Sequence, residues 1–551
     1  MTIETAIPSI WTTGTTEVFK TGTWRAALPQ HIKAPAPCHA ACPVDGDIAD
    51  WIGRARAQDF RGAWDILVRH NPFPAISGRV CHHPCEAACN RAGFDEPLAI
   101  CRLERFVGDR ALAEGWAFPQ VDMTREERIA IVGGGPSGLS AAFHLRRRGY
   151  AVTLFESHPK LGGLMRHGIP AYRLPRYVLD GEIGRIEAMG IDVRCNTPMS
   201  TAEDFARLRR DFDAVYLAVG AQRPKRLREL DYTRSWALDG ADYLARVNAG
   251  AEVALGRCVV VIGGGSAALD VARSAQRAGH EVTILALESR SQMPAQAEEV
   301  IQALEEGITL IDGARLDEVC DTGGADRVLL CTRVHFTPGA RRGEFTVTPV
   351  AGSEFVLLAD SIIASVGQDP ELAPLAGALA MDGTLLKADS RQATSEERVY
   401  AGGDAASMAR FVTEAIGMGK RAAREIDRAL RGNSTQGATA PEEPIVGLAA
   451  INLSYHPGQA RAVEARLPAA QRLAGAEVEL GFDMELALAE GARCFSCGTC
   501  ITCDNCVVYC PDLAVTREGD GYRVLFDYCK GCGLCVKECP TGSMKMIQDE
   551  R

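Results

Sequence analysis

Two stretches of the chain share one alternation of apolar and polar positions. The first opens with the apolar run Ile129–Val132, continues through Gly133-x-Gly135-x-x-Gly138, and then places Leu139, Ala142, Phe143 and Leu145 at helical spacing. A second apolar run, Ala151–Phe155, ends on Glu156. This pattern predicts strand, glycine turn, helix, strand and terminal acid, the unit that binds a dinucleotide. Gly133 permits the tight turn, Gly135 lets the backbone approach a pyrophosphate, and Gly138 allows close helix–strand packing. The helix N-terminus offers free N–H groups to the phosphates. Glu156, 18 residues past Gly138, is placed to accept from ribose hydroxyls.

The pattern returns about 130 residues later. Cys258–Ile262 leads into Gly263-x-Gly265-x-x-Ala268, and a second run, Glu281–Leu285, precedes Glu288. Two such units imply two dinucleotides; the arrangement resembles two-dinucleotide flavoproteins, which implies a bound flavin (FAD) on the first and a nicotinamide cofactor on the second. Glu288 lies 20 residues after Ala268, at the ribose-reading position. An acid there bonds the 2′-hydroxyl of NAD and repels the 2′-phosphate of NADP. The alanine at 268 leans toward NADP, and Arg290 is near enough to meet a phosphate. The balance favours NADH over NADPH.

Further apolar strands are expected at 213–219 and 360–366, and a short one at 398–401 precedes Gly402-Gly403-Asp404. Residues 1–36 are Thr-rich and polar and read as an irregular N-terminal arm. Residues 433–490 read as a linker, opening on GNSTQGATAPEEPI. At 551 residues there is room for several domains. A net charge of −11 argues against nucleic acid as a partner. No apolar run reaches the ~18 residues of a membrane helix. The N-terminus lacks a basic-then-apolar signal pattern, so a cytoplasmic protein without membrane insertion is expected.

The chain holds 20 cysteines, and only Cys195, Cys258, Cys320 and Cys331 lie outside 38–101 and 494–539. Clusters of cysteines in a long chain without a signal peptide point to metal or cluster ligation rather than disulfides. The C-terminal pattern is the most specific. Cys500-x2-Cys503-x2-Cys506-x3-Cys510-Pro is followed by Cys529-x2-Cys532-x2-Cys535-x3-Cys539-Pro. This is the doubled run of bacterial two-cluster ferredoxins, in which the fourth cysteine of each motif crosses to the other cluster. One [4Fe–4S] cluster should take Cys500, Cys503, Cys506 and Cys539, the other Cys529, Cys532, Cys535 and Cys510. Cys494 and Cys497 extend the ladder backwards and are surplus to this scheme. Near the N-terminus stand Cys38-x3-Cys42-Pro, Cys81-x3-Cys85-x3-Cys89 and Cys101. Iron–sulfur ligation suits them, with zinc as the competing reading.

The segment NPFPAISGRVCHHPCEAAC (71–89), the run GGL…GIP…RLP (162–175) and the two glycine units resemble the family of the glutamate synthase small subunit, which includes the N-terminal part of dihydropyrimidine dehydrogenase. The resemblance implies a helical domain with one or two [4Fe–4S] clusters. Matched by position, Cys42, Cys81 and Cys85 share one cluster with Glu104 in the place of a non-cysteine ligand. Cys38 and Cys89 would belong to another, with Cys101 as a replacement ligand. The cysteine pair that the family carries before Cys38 is missing. The resemblance further implies FAD beside Gly163 and at Asp404. Relatives that use NADPH carry Arg-Arg where this chain has Leu287-Glu288.

The expected fold is therefore multidomain. An α-helical iron–sulfur domain (37–125) precedes two α/β, Rossmann-like dinucleotide-binding domains, and an α+β 2[4Fe–4S] ferredoxin domain (491–551) closes the chain. The NAD(P)-binding domain (251–392) is inserted in the FAD domain (126–250 and 393–432). The expected activity is that of an FAD-dependent oxidoreductase passing electrons between NAD(P)H and iron–sulfur clusters. Hydride transfer to a flavin needs no general acid or base, so no catalytic side chain is named. The partner is a ferredoxin or a larger complex acting on a 2-oxoacid, formate or an aldehyde. A glutamate synthase small-subunit-type donor and a non-catalytic wiring subunit are the alternatives. A disulfide reductase needs a redox CxxC beside the flavin, and neither dinucleotide unit contains one.

Overall fold

A computed structural model describes residues 20–321, 326–340, 343–432, 444–472, 475–519 and 521–549. Two five-stranded parallel sheets form its centre. The first has the order Val399–Ala401, Ala214–Leu217, Arg128–Val132, Ala151–Phe155, Asp192–Arg194. Its inner strands are apolar on both faces, as parallel strands covered by helices must be. Ile129, Ala130 and Ile131 are fully buried, as are Tyr216 and Leu217.

The second sheet has the order Thr309–Ile311, Glu281–Leu285, Cys258–Ile262, Ser361–Ala364, Ala237–Asp239. All its strands fall in sequence between Leu217 and Val399. A three-stranded antiparallel sheet, Ala314–Asp321, Arg327–Pro338 and Phe345–Ala359, packs beside it.

The crossings between the sheets lie elsewhere than at 250 and 392. Ala237–Asp239 already pairs with Ser361–Ala364 of the second sheet. On the return, Leu372, Leu375, Leu379 and Leu386 already pack with Val132 and Val399 of the first. The chain passes between sheets at a two-stranded ribbon, Arg223–Pro224 against Gln368–Asp369. A three-residue edge strand has no periodicity to detect, which is why the sequence boundary falls late.

The N-terminal helices include Ile48–Arg56, Phe60–Leu67, Pro74–Val80 and Ile100–Ala113, closed over Trp51, Trp64, Phe73 and Ile76. This layer is seated firmly on the first sheet's helices. Glu182, from helix Arg176–Glu187, accepts from the backbone N–H of Ala75 (3.0 Å) and Ile76 (2.9 Å), capping Pro74–Val80 across the interface. Lys420, from the long helix Val412–Leu430, donates to the Val44 carbonyl at 2.5 Å.

The arm and the linker differ from expectation. Ala27–His31 is an ordered strand, antiparallel to the C-terminal strand Met544–Gln548. Five residues of threonine-poor sequence after a polar leader carry no strand signal of their own; the partner strand supplies it. Residues 1–19 lie outside the described residues, as do 433–443. The rest of 433–490 is a packed strap rather than a free linker. Val446 N–H donates to Pro35 O (3.1 Å), Val478 N–H to Tyr172 O (3.1 Å), and Arg472 pairs with Glu305 at 2.7 Å. The strap ends in helix Met484–Ala492, whose Glu490 is completely buried. Its small polar opening suggested a linker, but its later charges find buried partners that only the tertiary fold supplies. Among the described residues no helix is long and apolar enough to cross a membrane.

Candidate functional site

The two glycine units are built alike down to individual contacts. Gly133 has φ +107° and Gly263 φ +140°, a region that favours glycine. A Cβ on Gly133 would stand 2.2 Å from the Ala218 carbonyl oxygen, and one on Gly263 2.3 Å from that of Ser365. Each turn thus leans on the backbone at the end of the neighbouring strand. They differ at the third position. A Cβ on Gly138 would lie 1.9 Å from the Gly133 carbonyl oxygen, whereas Ala268 is accommodated and fully buried.

Both turns open on one cleft of about 2180 Å³, lined by Gly133, Gly135, Glu156, Gly163, Gly263, Gly265, Glu288 and Asp404. Small-molecule pockets usually measure ~300–1,000 Å³, so the volume suits two dinucleotides rather than one. Helices Pro136–Arg146 and Ser266–Arg277 both point their N-termini at the cleft from these turns. The buried Nε2 of His167, also on the cleft wall, has no hydrogen-bond partner among the described residues. The cradles and the cleft therefore fit FAD and a nicotinamide dinucleotide.

The acids behave as a matched pair. Glu156 is buried and accepts from Gly134 N–H (2.8 Å), His158 N–H (2.8 Å) and Ser157 Oγ (3.0 Å). Glu288, half-buried, also sits against its turn, with its carboxylate 2.4 Å from where a Cβ on Gly264 would be. Burial pushes its carboxyl above the usual carboxylate range. Arg290 is exposed, and its backbone N–H donates to Asp312 at 2.7 Å. Gly163 (φ +51°) packs against Gly135. Asp404 follows Gly403 (φ +65°), which abuts Ser137 at the start of the first glycine helix.

The cysteines gather in four groups. Cys42, Cys81 and Cys85 lie together with Glu104. Burial first, then the Glu104 carboxylate, pushes the Cys42 thiol up to about 11. Burial pushes the Cys81 thiol up to about 12, with Glu104 and Cys42 adding to it. Glu104 is itself pushed up to about 7 by burial, and accepts from Asn71 Nδ2 at 2.8 Å. Cys101 belongs on this side of the domain. Its thiol faces the Ser77 and Gly78 carbonyls, and its neighbours include Cys81 and Glu104. It does not stand with Cys38 and Cys89, as position matching implied. The helix Ile100–Ala113 turns it toward Cys81. Cys38 instead has Cys494, Cys89 and Cys497 around it, so the two surplus cysteines are not idle. At the C-terminus burial pushes Cys506 up to about 12, with Cys500, Cys503 and Cys539 next. Cys535 likewise goes to about 12 by burial, beside Cys529, Cys510 and Cys532. Every cysteine is free of disulfide. Thiols grouped in fours, or in three with a carboxyl, are a donor set that suits iron–sulfur clusters; Cys503 and Cys532 are the exposed members of theirs.

One link escaped the motifs. Cys81 Sγ donates to Thr413 Oγ1 at 3.4 Å, and the His82 ring stacks on Phe411 with centroids 3.8 Å apart. Phe411 and Val412 line the cleft, as does Val80. The first turn of helix Val412–Leu430 thus separates the dinucleotide cleft from the Cys42–Cys81–Cys85 group. TEAIGMGK carries a helical pattern but nothing that announces this contact.

The model of the pyridine nucleotide-disulphide oxidoreductase family matches residues 127–419, more than half the chain, and the chain belongs to that family. Dihydropyrimidine dehydrogenase domain II, 4Fe-4S cluster, matches 32–116, and the 4Fe-4S binding domain matches 522–545. Among curated proteins, the chain is 35% identical over 505 residues to the NADP(+)-dependent formate dehydrogenase subunit beta of Moorella thermoacetica, covering 84% of this chain and 70% of that one. It is 33% identical over 514 residues to the NADPH-Fe(3+) oxidoreductase subunit beta of Geobacter sulfurreducens (84% and 75%). It is 33% identical over 404 residues to the NAD-dependent dihydropyrimidine dehydrogenase subunit PreT of Escherichia coli (72% and 92%). The resemblance read from residues 71–89 and the glycine units is borne out. The chain is an oxidoreductase that uses NAD(P)H and carries an iron–sulfur domain on either side of its dinucleotide-binding part.

Proposed function

We propose that the chain binds FAD at the first glycine unit and NADH at the second, in an FAD domain that contains the NAD(P)-binding domain as an insertion. It passes electrons between NADH and a redox partner by way of its iron–sulfur sites. A flavin, when bound, supplies the exchange between the electron pair of a hydride and the single electrons that clusters accept. The chain's own residues hold and insulate that exchange. The turn Gly133–Gly138 presents helix N–H groups to a pyrophosphate, Glu156 and Glu288 offer carboxylates to ribose hydroxyls, and Asp404, next to the Gly403 that abuts Ser137, lines the same cleft. Phe411, stacked on His82, stands between the cleft and Cys81.

The observation that carries the reading is the contact of Thr413, which lies between the cleft-lining Val412 and Ala415, with Cys81. It gives electrons a short exit from the cleft to a cluster site. Glu288 supports NADH, although two of the relatives are named for NADP(H). All three relatives are named as subunits, so substrate chemistry on a second protein is the natural extension. A formate-oxidising or similar enzyme, or a ferredoxin, is the partner class proposed, with electron flow in either direction.

An anaerobic titration with NADH, and separately with NADPH, tests this. Flavin bleaching is followed in the visible and cluster reduction by EPR. NADH should reduce both. Reduction by NADPH alone would refute the Glu288 argument. Reduction by neither, with clusters still reducible by dithionite, would make the chain a wiring subunit.

A further inference from the structure

Cys494 and Cys497 belong to no motif that the proposed function uses, yet they are not on the ferredoxin surface. The segment that carries them folds back onto the N-terminal helical layer. Arg493 is fully buried and donates to the Glu96 carbonyl at 2.7 Å and to Glu490 at 2.7 Å. Arg91 in turn donates to the Arg493 carbonyl and lies 4.9 Å over the Phe495 ring. Phe495 also meets Phe94 edge to face. These contacts bring residues 494–497 to residues 38 and 89, more than 400 positions away along the chain.

A small enclosed cavity lies at this junction. It is lined by Cys38, Cys89, Cys494 and Cys497, with apolar walls that include Ile48 and Ile52. Four thiols match the donor number of an iron–sulfur cube, with an iron at each ligated corner.

The backbone gives an independent sign. Ser496 is a non-glycine residue at φ +52°, an uncommon conformation, and its N–H donates to Cys494 Sγ at 3.4 Å. The same bend recurs two residues after other cysteines. Thr502 (φ +53°) donates to Cys500 Sγ at 3.4 Å, and His83 (φ +38°) to Cys81 Sγ at 3.2 Å. Gly531 (φ +73°) does the same work for Cys529. Cys494-Phe-Ser-Cys497 therefore has the local shape of the ferredoxin cluster loops. Asn90 Nδ2 adds a donor to Cys497 Sγ at 3.3 Å. Donors of this kind orient and stabilise thiolates on a metal centre.

We propose that Cys38, Cys89, Cys494 and Cys497 are the four ligands of one [4Fe–4S] cluster, completed across the two ends of the chain. The site makes the segment that follows the strap a ligand-bearing element. It also joins the helical layer to the ferredoxin domain: Cys497 and Cys500 are three residues apart, so their Cα atoms are at most ~11 Å from each other. The Cys494–Cys497–Cys500–Cys503 ladder then runs from this cluster directly into the next.

The test uses the full chain purified without oxygen. Iron and acid-labile sulfide are counted per chain and cluster EPR is recorded after dithionite reduction, with no nicotinamide present. The result therefore stands or falls separately from the proposed function. C494S/C497S should lose about four iron and about four sulfide per chain, with FAD content retained and the ferredoxin signals intact. C38S/C89S should lose the same set, and C195S/C320S none. Unchanged iron in C494S/C497S would overturn the assignment, as would zinc recovered in a ratio to chain that the variant abolishes. If the double variants fold poorly, C497D keeps an oxygen donor in place. It should shift the EPR signal and midpoint potential of one cluster, and an unaltered spectrum and potential would equally overturn it.

Discussion

Glu288→Gln isolates the charge that the proposed cofactor preference rests on. The variant keeps the side chain's size and one oxygen, so the fit against Gly264 is preserved. A hydrogen bond to a charged acceptor contributes about 1.5–3 kcal/mol and one to a neutral acceptor about 0.5–1.5 kcal/mol. The loss for NADH is thus about 1–1.5 kcal/mol, or roughly 5- to 12-fold at 1.4 kcal/mol per tenfold. For NADPH the change is a gain. Two unit charges ~4 Å apart repel by about 1 kcal/mol in water and about 4 kcal/mol near a protein surface. Relief at the lower figure raises NADPH use about 5-fold. The ratio of kcat/KM for NADH over NADPH should fall roughly 25- to 60-fold. Anaerobic stopped-flow of flavin bleaching, with each nicotinamide varied, measures it. The sign with pH follows from burial, which raises the Glu288 pKa. The ionised form selects, so the ratio should be highest well above that raised value and decline as pH falls through it. The variant should show no such decline. A ratio within about twofold of the parent, or a pH profile that survives the substitution, would refute the reasoning.

Two other perturbations probe the frame around the site. Gly138→Ala puts a Cβ 1.9 Å from the Gly133 carbonyl, backbone that cannot swing away. Overpacking of this kind costs roughly 1–3 kcal/mol, so the variant should be purified depleted in FAD; a full complement of tightly held FAD would contradict the packing argument. Glu490→Ala removes one acceptor of Arg493 and the acceptor for Ala99 N–H (2.7 Å) and Ala462 N–H (2.9 Å), leaving the fully buried guanidinium with Asp95 (3.3 Å) as its remaining ion pair. Leaving a buried donor unsatisfied costs about 1–3 kcal/mol. Hydrogen exchange should then rise first in 444–492 and around residue 99, and protection equal to the parent's would show that the strap does not depend on the pair.

What the sequence determined by itself was chemistry written in short spacings. The two glycine units needed only neighbouring residues, because a turn, a helix N-terminus and a strand-end acid are made by one βαβ stretch. The doubled ferredoxin motif is equally local, and so are the cysteine pairs at 38–42 and 81–89. The tertiary structure decided what spacing cannot carry. The second sheet begins at Ala237 rather than after 250, since a three-residue edge strand exists only by pairing with Ser361–Ala364. The arm strand Ala27–His31 exists only against Met544–Gln548. The strap is ordered because Glu490 and Arg493 are buried together. Cys101 turned toward Cys81, while Cys494 and Cys497 came to Cys38 and Cys89 from the far end of the chain. Thiols that share a site need only be close in space, and closeness between segments more than 400 residues apart is set by packing, which no local pattern records.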